Sequence, residues 1–117
     1  MRMDPAPKWI QGVLHFDGAL YVTADDGDAE SGVFDHLYRV PMMGDARGKV
    51  VLERTFHDVR RAGEIEGLSV DPTTGELLVH FNRGKRIVLG MPKGFYPGYD
   101  REIHEVYVYR MDVLVSP

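Results

Sequence analysis

The densest group of residues able to do chemistry is the acidic loop Asp25-Asp26-Gly27-Asp28-Ala29-Glu30-Ser31-Gly32. Asp26, Asp28 and Glu30 fall at alternate positions, as the first three ligands of an EF-hand loop do. Such a loop needs glycine at its sixth position and a bidentate glutamate at its twelfth; here those places hold Ser31 and Leu37. Half a motif reads as a solvated acidic loop. His15, His36, His57, His80 and His104 are dispersed, with no His-x-His or His-Glu-x-x-His pair to hold zinc. His80 falls on the strand face opposite Val79, where it would line a groove. There is no Gly-x-Ser-x-Gly elbow around Ser31, Ser69 or Ser116, and Gly90-Met91-Pro92-Lys93-Gly94 lacks phosphate-loop spacing.

The second chemically suggestive stretch runs from Gly90 to Arg101. Lys93, Phe95, Tyr96 and Tyr99 lie on it, and Arg83, Lys85 and Arg86 precede it. Aromatic faces beside cations suit a sugar or another polar small ligand, held by stacking plus hydrogen bonds. The competing expectation is that the aromatics fold over a sheet edge as a lid or mediate self-association.

Strands must position these groups. Residues 19–23 alternate, with Leu20 and Val22 on one side and Tyr21 and Thr23 on the other. Residues 76–81 and 105–110 alternate in the same way, the period-2 signature of half-buried strands. Asp17-Gly18 and Thr73-Thr74-Gly75 fall where hairpin turns belong. Residues 49–62 hold neither glycine nor proline, with Leu52, Phe56 and Val59 at helical spacing. A strand over 50–56 is the preferred expectation there, because Val50, Val51 and Thr55 are β-branched.

Composition bounds the class. The chain has 117 residues, one domain's worth, with 13 glycines and 7 prolines, too much punctuation for a helical bundle. A formal charge of −4 argues against coating nucleic acid or an anionic membrane. With no cysteine, disulfides and thiolate zinc sites are excluded. Residues 1–9 show no signal-peptide h-region, which makes the cytoplasm the default expectation for a chain that is not part of a secreted protein.

The strands come twice. Ile10-Gln11-Gly12-Val13 is echoed 55 residues later by Ile65-Glu66-Gly67-Leu68, and His36–Met42 is echoed by residues 105–111. A period near 50 with three or four antiparallel strands per unit is the signature of a propeller blade. The expected fold is therefore all-β: two antiparallel β-propeller-like blades of three to four strands each. Residues 1–9 would be an extension, 10–62 one blade, and 63–117 a second, with a long aromatic loop over 90–104. Residues 50–56 would be the outer strand of the first blade, and 113–115 a stub of its equivalent. Two blades cannot cover all their own faces, so the chain is expected to be a homo-oligomer or a portion of a longer propeller, or else to fold as an open face-to-face sandwich.

Ile65-Glu66-Gly67-Leu68-Ser69-Val70-Asp71-Pro72, with Thr74-Gly75-Glu76-Leu77 after it, resembles a blade opening of gluconolactonase/regucalcin-type and esterase-like phytase-type propellers. Phe81-Asn82-Arg83-Gly84 leading to Val106-Tyr107-Val108-Tyr109 is similar to helveticin-type propellers. The gluconolactonase likeness implies a divalent metal, Ca²⁺ by its oxygen donors, at Glu66, with Asn82 and Asp25 as further ligands and Gln11 as the neutral counterpart of Glu66. Two functions follow as expectations. One is a non-enzymatic binding or assembly module, helveticin-like, with Gln11, His80, Arg83, Lys93, Phe95, Tyr96 and Tyr99 as ligand-binding candidates. The alternative is a metal-dependent hydrolase or lactonase.

Overall fold

A computed structural model describes residues 1–28, 31–59, 63–88 and 90–111. Among them the elements are all strands: β1 (Ile10–Phe16), β2 (Ala19–Ala24), β3 (His36–Pro41), β4 (Val51–Thr55), β5 (Gly63–Val70), β6 (Leu77–Arg83), β7 (Lys85–Val88), β8 (Met91–Phe95) and β9 (Ile103–Tyr109). They form a four-stranded sheet in the order β1-β2-β3-β4, a three-stranded sheet in the order β5-β6-β9, and the hairpin β7-β8. All these strand pairings are antiparallel.

Local chemistry sets the turns. Asp17 and Gly18 both take positive φ, 48° and 77°, the hairpin conformation whose twist matches the flanking strands. Between β5 and β6 the Asp71 carboxylate accepts the Thr73 N–H at 2.8 Å, and the Gly75 N–H donates to the Asp71 carbonyl at 2.8 Å. Part of the stretch with helical spacing is strand: Val51–Thr55 form β4, whose Val51 and Leu52 pair with Arg39 and Tyr38 of β3, while Phe56 and Val59 lie just beyond it and residues 60–62 are outside the described residues. Part of the stretch read as a long loop is also strand, because β8 folds back on β7 with Lys85 opposite Phe95 and Arg86 opposite Gly94. The expected strand stub at 113–115 lies outside the described residues.

The two sheets meet face to face. Residues directly opposite one another in a ladder share a face, so Tyr21 shares its face with Leu14, and Ala19 with Phe16. That face of the first sheet, with Leu37, packs on Ile65, Leu77, Val79, Phe81 and Tyr109 of the second. Phe56, just past β4, closes the cluster with its ring 5.3 Å from that of Phe81 and 5.5 Å from that of Tyr109. Each such side chain, fully withdrawn from water, contributes about 1.5–3 kcal/mol.

The echoed motif lies where the sheets touch. β1 shifts register between Ile10 and Gly12, and β5 between Ile65 and Leu68. β5 packs against β1 and β2. A Cβ on Gly12 would sit 2.6 Å from Leu68 Cδ2 and 3.2 Å from Gly67 Cα. Thr23, fully buried, donates from Oγ1 to the Glu66 carbonyl at 3.0 Å. Both copies of Ile-[Gln/Glu]-Gly therefore mark an irregularity at which one strand can approach another closely.

Candidate functional site

Two groups of polar side chains emerge from this frame. The first sits at the end of β2 and β3. Ala24 pairs with His36, so Asp25 and Asp35, one residue beyond on each strand, flank the mouth of the acidic loop. Their carboxyl groups lie close enough to interact. Asp35 also accepts the Gly27 N–H at 3.0 Å and lies near the Ile65 backbone of β5. Burial, then the neighbouring Asp35, then Glu64 and Glu66, push Asp25 up to about 8. Asp35 is also raised, chiefly by burial. Burial and then the charges of Glu66 and Asp35 raise Glu64. Carboxyls crowded together away from water cannot all ionise, so a proton is retained among them.

Asp26, the next residue, is already satisfied. Its carboxylate holds His36 Nδ1 at 2.8 Å and accepts the Tyr38 hydroxyl. Asp28 accepts the Ser31 hydroxyl at 2.8 Å, and Glu30 lies outside the described residues. The half EF-hand pattern is thus spent on internal hydrogen bonds at both of its described acidic positions. Among the described residues, no group of three or more His, Cys, Asp or Glu is placed to hold a metal ion. Glu66 and Asp25 do share one neighbourhood, while Asn82 stands opposite Glu64 in the β5–β6 ladder.

The second group lies on the face of the second sheet turned away from the first. Leu78, His80 and Asn82 of β6 share it with His104, Val106 and Val108 of β9. A shallow groove of about 330 Å³ on it is lined by Gly67, Leu68, Ser69, Leu78, His80 and Val106. Val106 is 61% exposed and Val108 54%. His80 Nε2 lies 3.1 Å from His104 Nδ1, and the Oδ1 of Asn82 is buried without a hydrogen-bond partner.

The remaining candidates are spread over other parts of the chain. Gln11 is exposed on β1 at its register shift. Arg83 is buried at the end of β6 and ion-paired with Glu105, its Nε and Nη1 making no hydrogen bond. Lys93 and Phe95 are exposed on β8. The ring of Tyr96 lies 5.8 Å from the Arg86 guanidinium carbon. Tyr99 rests against Gly84, where an added Cβ would come 3.2 Å from its Cδ1. Gly84 takes φ 96°, so this close approach falls at a backbone that only glycine adopts without strain.

Sequence reasoning missed Asp35, Glu64 and the pairing of His80 with His104. The two histidines are 24 residues apart, and only the β6–β9 register makes them neighbours. Asp35 had a usable signal, as the acidic residue just before β3 that mirrors Asp25 just after β2. No protein-family model matches the chain, and neither a curated protein nor a solved structure matches it significantly.

Proposed function

We propose that this chain is a non-enzymatic assembly module of propeller type, whose two sheets act as neighbouring blades and whose second sheet receives a further blade from another copy. The observation that carries this reading is the open apolar face of β5-β6-β9, where Val106 and Val108 stand exposed beside Leu78. A sheet face of this composition is stable in water when another layer covers it. The inner face of the same sheet has such a cover in the first sheet, which supports sheet-on-sheet contact as the mode.

A second copy offers a matching surface. At the β1 edge of the first sheet, beside the covered Val22 and Ala24, Val13 is 53% exposed, with Ile10 and Trp9 exposed nearby on the same strand and its approach. Head-to-tail stacking joins that edge of one copy to the open face of the next, a heterologous contact that closes into a ring when its rotation allows. The absence of a complete catalytic constellation in the sequence supports a binding role over hydrolysis.

Light scattering of the purified chain across micromolar concentrations tests the reading. The expected result is a mass above that of one chain, reduced to a single chain by Val106→Lys with Val108→Lys. A monomer at every concentration overturns self-assembly and leaves the face to the remainder of a longer protein.

A further inference from the structure

We propose that His80 and His104 form a two-imidazole chelate for one divalent transition-metal ion, Zn²⁺ or Ni²⁺ in class, on the open face of the second sheet. The two ligating atoms are His80 Nε2 and His104 Nδ1, 3.1 Å apart. With metal–nitrogen bonds of about 2.0–2.1 Å, two cis ligands lie about 2.9 Å apart at a right angle and about 3.4 Å apart in a tetrahedron. The observed spacing falls between these limits. On binding, each neutral imidazole keeps its one proton, on His80 Nδ1 and His104 Nε2, so the proton between the rings moves to the outer nitrogen of its own ring and the ion takes its place.

The surroundings favour this use of the pair. The imidazoles stand on adjacent strands, β6 and β9, whose ladder fixes their separation, so little ordering is needed on binding. Their rings are tilted by 32° with centroids 5.3 Å apart. Glu102 Oε1 lies 3.8 Å from His104 Nε2. A negative charge at that distance favours the proton on Nε2 and leaves the Nδ1 lone pair toward His80. Asn82 stands directly across from His104, and its buried, unpartnered Oδ1 is an oxygen donor in search of a positive partner. Opposite Asn82 is Glu64, a further oxygen-bearing side chain in the same row. Imidazole nitrogens select zinc, nickel and copper over calcium and magnesium, so this site differs in chemistry from a carboxylate calcium site. His104 is well exposed in the single chain, so the other coordination positions point outward from the sheet.

Calorimetric titration of the whole chain with ZnCl₂ tests the proposal. One saturable ion per chain is expected. His80→Gln and His104→Gln should each weaken it by roughly tenfold or more, while His15→Gln, an exposed histidine of the first sheet, should leave it unchanged. Melting curves without metal check that each variant is folded. As an independent readout, substoichiometric Ni²⁺ should broaden the ring resonances of His80 and His104 before those of the other three histidines. Zinc binding that survives both substitutions, no saturable binding at millimolar zinc, or broadening centred on another histidine would overturn the assignment.

Discussion

The two sheets are built from similar strands, yet they differ in what covers them. In the first, the face carrying Ala19, Tyr21 and Leu37 lies in the shared core, and Val22, Ala24 and Val40 on the opposite face are buried as well. Its N-terminal run is tied to it at two places. The Asp4 N–H donates to the Gly48 carbonyl at 2.9 Å, and the Asp25 N–H to the Trp9 carbonyl at 2.9 Å. In the second sheet Leu77, Val79 and Phe81 are buried, whereas the alternate positions reach solvent through Val106 and Val108. Alternating strands of the same quality therefore do not settle which faces become interior. The number of layers around each sheet does.

The sharpest way to break the comparison is to empty the layer both sheets share. Phe56→Ala should destabilise by about 3–5 kcal/mol, read by urea denaturation, because Phe56 is 1% exposed and touches aromatic rings of the second sheet. Next come the two glycines of the echoed motif. Gly12→Ala should cost about 1–3 kcal/mol by forcing a methyl into Leu68 and the Gly67 backbone. Gly67→Ala has nothing within 4 Å of the new Cβ and should stay within about 0.5 kcal/mol of the parent. Equal effects at the two positions would show that the sheets do not cross there.

The carboxyl group at the sheet junction gives a smaller, pH-dependent effect. Asp25 keeps its proton in the folded chain up to about 8, against 3.8 for an ordinary aspartate in water. Between those values the folded state binds more protons than the unfolded state, so stability falls as pH rises and the contribution is lost above about 8. Melting temperature should therefore decline from pH 5 to pH 9, and Asp25→Asn should flatten the decline. A parent curve that rises over this window would refute the shared proton. The smallest effect on stability is expected at the open face. Val106→Lys and Val108→Lys should each change unfolding free energy by no more than about 0.5 kcal/mol while removing any self-association. A large loss of monomer stability there would mean that the face is covered within the chain itself.

Much of the fold was legible in the sequence because its signals are local. The alternation at 19–23, 76–81 and 105–110 fell within β2, overlapped most of β6 and overlapped β9, and Asp17-Gly18 gave the hairpin its positive φ values. Strand bounds slipped by one to several residues: β6 runs on through Arg83 and β9 begins at Ile103. These residues carry charge or reduced alternation, and their pairing partners decide their conformation. The 90–104 stretch read as a loop because of its glycines and prolines, yet ladder hydrogen bonds to β7 make Met91–Phe95 a strand.

The candidate sites were less legible. The acidic loop attracted attention as a ligand set, whereas Asp26 serves His36 and Tyr38. The groups that influence one another most, Asp25, Asp35, Glu64 and Glu66, come from both sheets.

By itself the amino-acid order determined the strand character of this chain, the tight turns and the recurrence of Ile-[Gln/Glu]-Gly, since φ/ψ preference and side-chain alternation act over a few neighbouring residues. Tertiary structure alone decided that Gly12 meets Gly67, that His80 meets His104, and that Val106 faces water while Val22 does not. Those outcomes depend on ladder register and on how sheets stack, which are sums over contacts between residues far apart in the chain.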